Sequence, residues 1–484
     1  MSKESTLITH VVLILFLGLA VYGNSLNGGF VWDDELVVQQ NSLIRDWSGI
    51  GKFFVGHMFS NTNVGEINYY RPLQMITYTI DHSLWGLNVR GYHLVNILLH
   101  VSVALLIYWL VNILYNNKFL SCLTSIFFVT HPIHTEAVSY ITGRADPLAA
   151  LFMVLSLIFY VKTVNTRKRM FCFTSILAYA GAILSRESSL ILPLMILLYH
   201  YVFERKIKIK VFLAFLGVTL SYVLLRLALL GSISLDPGSE TTVFQRLPGF
   251  FVAIATYIKL LVFPFDLHME YGDQMFNFTD PMAIVGVLAV ILSLIYIIKK
   301  KKNNGLVFFS MSWFFVALLP ASNLYPVNAY LREHWLYIPS IGAFLILAKG
   351  LSYLYSRKRL RLFMTIVIIG LLSFYSYLTI KQNGYWSDPV VFYKTTLKYA
   401  PDNWKIHENL GRAYVAIDKK DEAIISYNRV LELNPEHRET YYNLSATYFR
   451  KKQYDLAIKY CDNAIERGLE VFPEFLELLE PHRK

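Results

Sequence analysis

Long apolar runs alternate with short polar breaks from about residue 7 to residue 380. A bilayer crossing takes roughly 20 apolar residues, and the pattern predicts spans near 7–23, 93–114, 118–131, 147–164, 170–185, 188–203, 211–230, 282–298, 305–321, 335–351 and 362–380. One further apolar stretch, 250–265, has Pro248 and Pro264 at its ends, which suits a short bounded helix. From about Trp386 the pattern becomes that of soluble helices. Leu410 and Leu444, Tyr414 and Tyr448, and Ala423 and Ala457 each recur at a spacing of 34 residues, the tetratricopeptide period. Gly411, Tyr427 and Pro435 stand at the expected offsets. The second copy departs at Ser445, where glycine is usual, and at Cys461, where an aromatic is usual. Tyr393 and Pro401 match the second half of an earlier unit.

The predicted fold is therefore all-α. Residues 1–383 form a polytopic membrane helix bundle of about eleven spans plus a re-entrant or interfacial helix. Residues 384–484 form a tetratricopeptide α-solenoid, with two full repeats at 404–437 and 438–471 and a partial one before them. Such repeats stack into a concave surface that binds peptides or proteins; the plainer alternative is that two repeats only cap the last span.

Composition agrees: 55% of residues are hydrophobic and 16% charged, against ~25% charged in soluble domains. The net charge of +11 does not mark a nucleic-acid binder, because the basic residues cluster in short loops between apolar segments. These clusters are Lys162/Arg167/Lys168/Arg169, Arg205/Lys206/Lys208/Lys210, Lys299 to Lys302, and Arg357/Lys358/Arg359/Arg361. Placing all four in the cytoplasm, as the positive-inside rule requires, fits about eleven crossings with a cytoplasmic N-terminus and leaves 250–265 as the non-crossing segment. The first span is expected to remain uncleaved, since no small-x-small site follows it. Cys122, Cys172 and Cys461 form no C-x-x-C pair, which argues against a disulfide framework or zinc site.

In this topology the loops 24–91, 131–146, 185–188, 231–281 and 322–334, with everything after about 381, share the non-cytoplasmic face, the periplasm or exterior in a prokaryote and the ER lumen in a eukaryote. That face collects the polar motifs. Trp32-Asp33-Asp34-Glu35 opens the first outer loop, followed by Tyr69-Tyr70-Arg71-Pro72, Asp81-His82 and Tyr92-His93. The loop's apolar stretches Ile50–Phe59 and Leu73–Ile80 suit short helices on the membrane surface. The next loop carries His131-Pro132-Ile133-His134-Thr135-Glu136 and Gly143-Arg144-Ala145-Asp146. Its His-x-x-His-x-Glu spacing can ligate a metal, although Pro132 disturbs regular helical geometry; hydrogen bonding to a polar substrate or a neighbouring loop is the alternative. Ser185-Arg186-Glu187-Ser188 and Arg332-Glu333-His334 complete the set. Charges at membrane depth are costly and are usually paired or functional. A carboxylate here can act as general base toward a hydroxyl, and arginines can hold a leaving phosphate. No P-loop and no G-x-G-x-x-G is present; a lipid-phosphate donor reached from the membrane needs neither.

Taken together, Phe30-Val31-Trp32-Asp33-Asp34, Tyr70-Arg71-Pro72-Leu73, Gly91-Tyr92-His93-Leu94-Val95-Asn96, His131 to Val138, Gly143-Arg144-Ala145-Asp146 and Arg332 to Pro339 occur in one order with the C-terminal repeats. In this the chain resembles the transmembrane and tetratricopeptide-repeat protein O-mannosyltransferases and their microbial relatives, in the GT-C glycosyltransferase superfamily. The resemblance implies inverting transfer of a sugar, mannose in the family, from a polyprenyl-phosphate carrier to a Ser or Thr hydroxyl of a protein bound through the repeats. It implies a general base at Asp33 or Asp34, with Asp34 slightly favoured, and donor-phosphate contacts from Arg186 and Arg332. Arg71, His93, His131, His134, Glu136, Arg144, Asp146, Glu187, Glu333 and His334 would line the substrate site. No cofactor is expected to be required, with a divalent metal left open. Having fewer repeats than the animal members puts their acceptors in question. Two other readings stand beside this one. One is a non-catalytic membrane scaffold recruiting outer-face partners. The other is a lipid-linked sugar transporter, which would favour deeper charges and related halves.

Overall fold

The computed structural model describes residues 3–58, 69–231, 241–272, 274–300, 305–324, 326–327 and 329–483. Part of the first outer loop (59–68), part of the 231–281 loop (232–240) and Lys301 and Lys302 of the third basic cluster lie outside the described residues. No strand occurs among the described residues. The chain divides into two compact units, Met1–Met269 with Asp273–Ser387, and Glu270–Gly272 with Asp388–Lys484. The principal boundary thus falls four residues beyond the expected 383/384 junction.

The first unit is a helix bundle. Its main helices are α1 (Lys3–Tyr22), α2 (Pro72–Trp85), α3 (Val89–Tyr115), α4 (Lys118–Thr130), α5 (Ala145–Thr166), α6 (Arg169–Ser185), α7 (Leu192–Val202), α8 (Ile209–Leu230), α9 (Val243–Val262), α10 (Pro281–Lys300), α11 (Gly305–Leu318), α12 (Ser340–Tyr355) and α13 (Arg361–Asn383). Seven of the described helical segments are long and apolar enough to cross a membrane, and five shorter apolar ones accompany them, the make-up of a multi-pass bundle. Tight turns set the helix pairs. Asn116 adopts a left-handed conformation (φ 49°) after α3, and Asn117 then caps α4 by accepting from the Leu120 N–H at 3.0 Å. Arg167 (φ 61°) makes the equivalent turn between α5 and α6.

The apolar stretch expected at 250–265 is the 20-residue α9, begun by a Thr242–Gln245 capping box. By length and composition it is a candidate crossing. It packs against α10, where Gly286 meets the Phe251 backbone, and it also bonds to loop segments. Arg246 donates to the carbonyls of Asn323 and Leu324, Tyr257 donates to that of Arg332 at 3.0 Å, and Leu261 bonds to His131. All these partners lie in loops that the topology expected from sequence puts on one face.

The first outer loop builds a small core of its own. Val37, Val38, Ile44, Phe53, Met58 and Met75 pack with Tyr78, Tyr92 and Ile141. The expected surface helix at Ile50–Phe59 is only the single turn Ile50–Phe53, whereas Pro72–Trp85 is a full helix with proline at its first turn.

In the second unit, α14 (Pro389–Thr396) precedes the helix pairs α15 (Trp404–Ala416) with α16 (Lys420–Leu433) and α17 (Arg438–Arg450) with α18 (Tyr454–Glu466); α19 (Pro473–Leu479) follows. In the first pair Gly411 lies directly under the Tyr427 ring, where a Cβ has no room. In the second pair Ser445 takes that place, and its hydroxyl donates to the Ala457 carbonyl at 2.6 Å across the pair. A small residue with its hydroxyl satisfied replaces glycine without opening the interface. Cys461, fully buried, packs with Ala457 and Leu479. Gly411→Val is expected to overpack this pair and destabilise it by about 1–3 kcal/mol. Hydrogen exchange of the intact protein should then be faster in α15 and α16 and unchanged in α5 and α6.

Candidate active site

The acidic motif is a tight turn. Trp32 takes a left-handed backbone conformation (φ 54°), unusual for a bulky residue. The Asp34 N–H donates to the Val31 carbonyl at 3.1 Å, and the Val31 N–H donates back to the Asp34 carboxylate at 3.1 Å. The other Asp34 oxygen accepts from both the backbone N–H (2.8 Å) and the hydroxyl (2.5 Å) of Thr142. Asp34 has no exposed surface. Its oxygens are committed to pinning the turn onto the segment that follows Tyr140. Asp33 is only partly buried and faces Tyr140, Arg332 and Arg71. Burial pushes the Asp33 carboxyl up to about 6, against the opposing pull of Tyr140, Arg332 and Arg71. Burial pushes Asp34 up to about 7, against its donors Thr142 and Val31, with the Asp33 charge adding to the rise.

Around this turn the loops supply paired charges. Arg71 binds Glu187 through two bonds (3.1 and 2.7 Å) and lies over the Tyr69 ring, 4.3 Å from its centroid. Arg186 bonds to Asp146. Glu136 accepts from the His334 ring and from the His334 backbone N–H, both at 2.8 Å. Burial raises the Glu136 carboxyl, but His334 and Arg332 outweigh it and hold the group below the ordinary range. Arg332 donates to the Met269 carbonyl, and its charge reaches Asp33 and Glu136. One end of the bundle thus brings together Asp33, Arg71, Glu136, Asp146, Arg186, Glu187, Arg332 and His334.

The other residues expected to line the substrate site are buried among protein partners. Arg144 is fully buried. It pairs with Asp81 at 2.6 Å, donates to Asn96 (2.6 Å), Thr77 (3.1 Å) and the Tyr92 carbonyl (3.0 Å), and lies over the Tyr78 ring. It has no exposed atom to offer a substrate. His131 and His134 are also fully buried. His131 caps the turn after α4 by accepting from the Ile133 N–H, and His134 packs between Phe128 and Tyr337. Burial, then the neighbouring His100 and His131, hold His134 far below its ordinary pKa, so it is neutral. His93 is buried against Gly28, and Glu333 accepts from the His268 N–H at 2.6 Å. The His-x-x-His-x-Glu spacing therefore does not converge: Glu136 turns to His334 and both imidazoles to the aromatic core. Among the described residues no group of three or more His, Cys, Asp or Glu could hold a metal ion.

Three residues of the site were not singled out from sequence. Thr142 anchors Asp34 and Asn96 anchors Arg144, while Tyr140 faces Asp33. Thr142 and Tyr140 lie between the two motifs of their loop, and Asn96 ends the Gly91–Asn96 motif, so adjacency to those motifs was the available signal.

Residues 409–468 match the tetratricopeptide repeat family model. Over most of its length the chain is similar to proteins named protein O-mannosyl-transferases. It is 26% identical to F38B6.6 of Caenorhabditis elegans over 89% of this chain and 64% of that protein. It is 25% identical to TMTC2 of Homo sapiens over 86% of this chain and 61% of that protein. The chain thus spans about three-fifths of the length of these relatives. Among solved structures, the oligosaccharyltransferase of Archaeoglobus fulgidus aligns with a TM-score of 0.49 at 14% identity, over 83% of this chain and 58% of that one. The resemblance carried by the short motifs therefore holds over most of the chain.

Arg144→Met should leave the Asp81 carboxylate buried without its counter-ion. The expected loss is about 3–5 kcal/mol, read as a lowered thermal midpoint of the detergent-solubilised protein. Double replacement with Asp81→Leu should recover part of it.

Proposed function

We propose that this protein is a membrane glycosyltransferase that moves a sugar, mannose in the reading favoured here, from a polyprenyl-phosphate carrier to a hydroxyl of an acceptor protein on the non-cytoplasmic face. The observation that carries the reading is the division of labour within one turn: Asp34 is buried and consumed by three donors, while Asp33 is partly exposed beside Arg332 and Arg71. The similarity to proteins named protein O-mannosyl-transferases supplies the reaction class.

In this mechanism Asp33 is the general base, in place of the slightly favoured Asp34. Its carboxylate takes the proton of the acceptor hydroxyl as that oxygen bonds to the anomeric carbon. The bond from that carbon to the carrier phosphate breaks, and its electron pair leaves with the phosphate, inverting the anomeric centre. Arg332 and Arg186 stabilise the departing phosphate charge, with Arg71 behind Glu187 adding to the field. Glu136 and His334, bonded to each other, stand among these groups. The repeats bind the acceptor or a protein that presents it.

The pH dependence follows from the sign of the Asp33 shift. Below about 6 the carboxyl is protonated and cannot accept a proton; above it the base is available. Because Asp33 and Asp34 adjoin, the acid limb belongs to the pair. With polyprenyl-phosphate [³H]mannose and acceptor proteins, kcat/KM should rise with pH through roughly 6 to 7. Asp33→Asn should lower kcat by about 10²–10⁴ while the protein stays folded. Undiminished transfer by Asp33→Asn would overturn the assignment, and no transfer from any lipid-linked sugar by intact protein would overturn the enzyme reading itself.

A further inference from the structure

We propose that Tyr257 is a positioning residue for Arg332: its buried hydroxyl clamps both peptide groups of that residue and so aims the guanidinium at the carrier phosphate. The inference deepens the reading of Arg332 as a donor-phosphate contact and rests on it.

Tyr257 stands in the C-terminal half of α9 and is 1% exposed. Its hydroxyl donates to the Arg332 carbonyl at 3.0 Å and accepts from the Arg332 N–H at 3.3 Å. One side chain can hold both groups because Arg332 is extended, with φ −144° and ψ 141°. In an extended residue the N–H and the carbonyl point to the same side, as where a strand residue exchanges both its bonds with one partner. Holding the two peptide groups fixes the direction of the Cα–Cβ bond, and with it the root of the guanidinium arm. The Arg332 carbonyl also accepts from the Trp335 N–H at 3.3 Å, within the short helical turn Glu333–Leu336 that follows.

The same helix grips the same loop at a second place. Arg246 donates to the Asn323 carbonyl at 2.9 Å and to the Leu324 carbonyl at 3.2 Å. Arg246 and Tyr257 are 11 residues apart in α9. That is three helical turns, so the two share one face at roughly 16 Å along the axis. The connection from α11 to α12 is therefore fixed near its start and again at Arg332. Beyond the clamp, the Arg332 side chain donates to the Met269 carbonyl, Glu333 accepts from the His268 N–H at 2.6 Å, and His334 pairs with Glu136 at 2.8 Å. Three consecutive residues are each tied to another segment, and Tyr257 supplies the tie to the Arg332 main chain. The hydroxyl is buried and committed to that main chain, so its influence on a bound phosphate passes through where Arg332 points.

The test is a double-mutant cycle on the affinity of the detergent-solubilised full-length protein for polyprenyl phosphate, with polyprenol, which lacks the phosphate, as the second probe. Tyr257→Phe keeps the ring and removes both bonds. It should weaken polyprenyl phosphate binding about 3–10-fold and leave polyprenol binding unchanged. Arg332→Gln should weaken it at least as much, and adding Tyr257→Phe to Arg332→Gln should cost nothing further. In the wild type the Arg332 amide should exchange with solvent well below the free-peptide rate, a reading that needs no variant. Equal penalties for Tyr257→Phe with and without the Arg332 guanidinium, loss of polyprenol binding together with phosphate binding, or an Arg332 amide that exchanges at the free-peptide rate would each overturn the positioning role alone. Arg332→Gln that binds polyprenyl phosphate as tightly as the wild type would overturn the phosphate role of Arg332 on which the inference rests.

Discussion

The guanidinium of Arg144 is the interaction on which the polar end of the bundle depends. A bare charge in so dry a place would cost several kcal/mol, and this one is answered on every side: Asp81, Asn96, Thr77, the Tyr92 carbonyl and the face of Tyr78. Those partners come from α2 and α3, while Arg144 stands at the start of α5. Satisfying one cation therefore fixes two helices and the loop before a third. Thr142 lies two residues upstream, and its N–H and hydroxyl hold Asp34. The acidic turn is thus placed next to a charge that has no exposed surface of its own.

The same low-dielectric setting separates two adjacent carboxylates. Asp34 and Asp33 are chemically identical and neighbours in sequence, but one is buried under donors and the other looks onto a set of arginines and a tyrosine. Burial raises both, to about 7 and about 6 respectively. What distinguishes them is access: only Asp33 has surface that a hydroxyl can reach. Pairing an anchor with a poised group in one turn means that fixing the first also orients the second, through a single short run of backbone.

Much of this was legible in the chain, and the limit has a physical origin. Hydrophobic run length and basic loops report the bundle, the 34-residue period reports the repeats, and both survive in the structure because each is a property of one segment at a time. The ends where polar motifs gather were also legible, since only those places tolerate so many charges. Pairing was not. Arg71, Arg144 and Arg186 look alike in sequence, each in a short polar motif between apolar segments, yet Arg144 has no exposed surface while Arg71 and Arg186 keep a small part of theirs. His131 and His134 have ligand spacing but turn into an aromatic core with Phe128, Tyr337 and Phe344. Which partner a charge finds is decided by residues far along the chain, 116 positions for Arg71 and Glu187 and 198 for Glu136 and His334, and single-segment patterns carry no record of it.

The ring of ion pairs is also an argument about how such an end receives an anion. Arg71 and Arg186 are already stripped of bulk water and aimed by Glu187 and Asp146, so the cost of orienting them is met when the protein folds. A phosphate arriving beside Arg332 and Arg186 would meet donors that need little reorganisation, the condition under which electrostatic stabilisation is most effective. The carboxylate partners keep the resting site nearly balanced. They also give Arg71 and Arg186 acid partners other than the Asp33 carboxylate, whose strong pairing with a guanidinium would lower its basicity. In the proposed mechanism, a base that must remain available beside cations that must remain charged is served by giving most of those cations acids of their own.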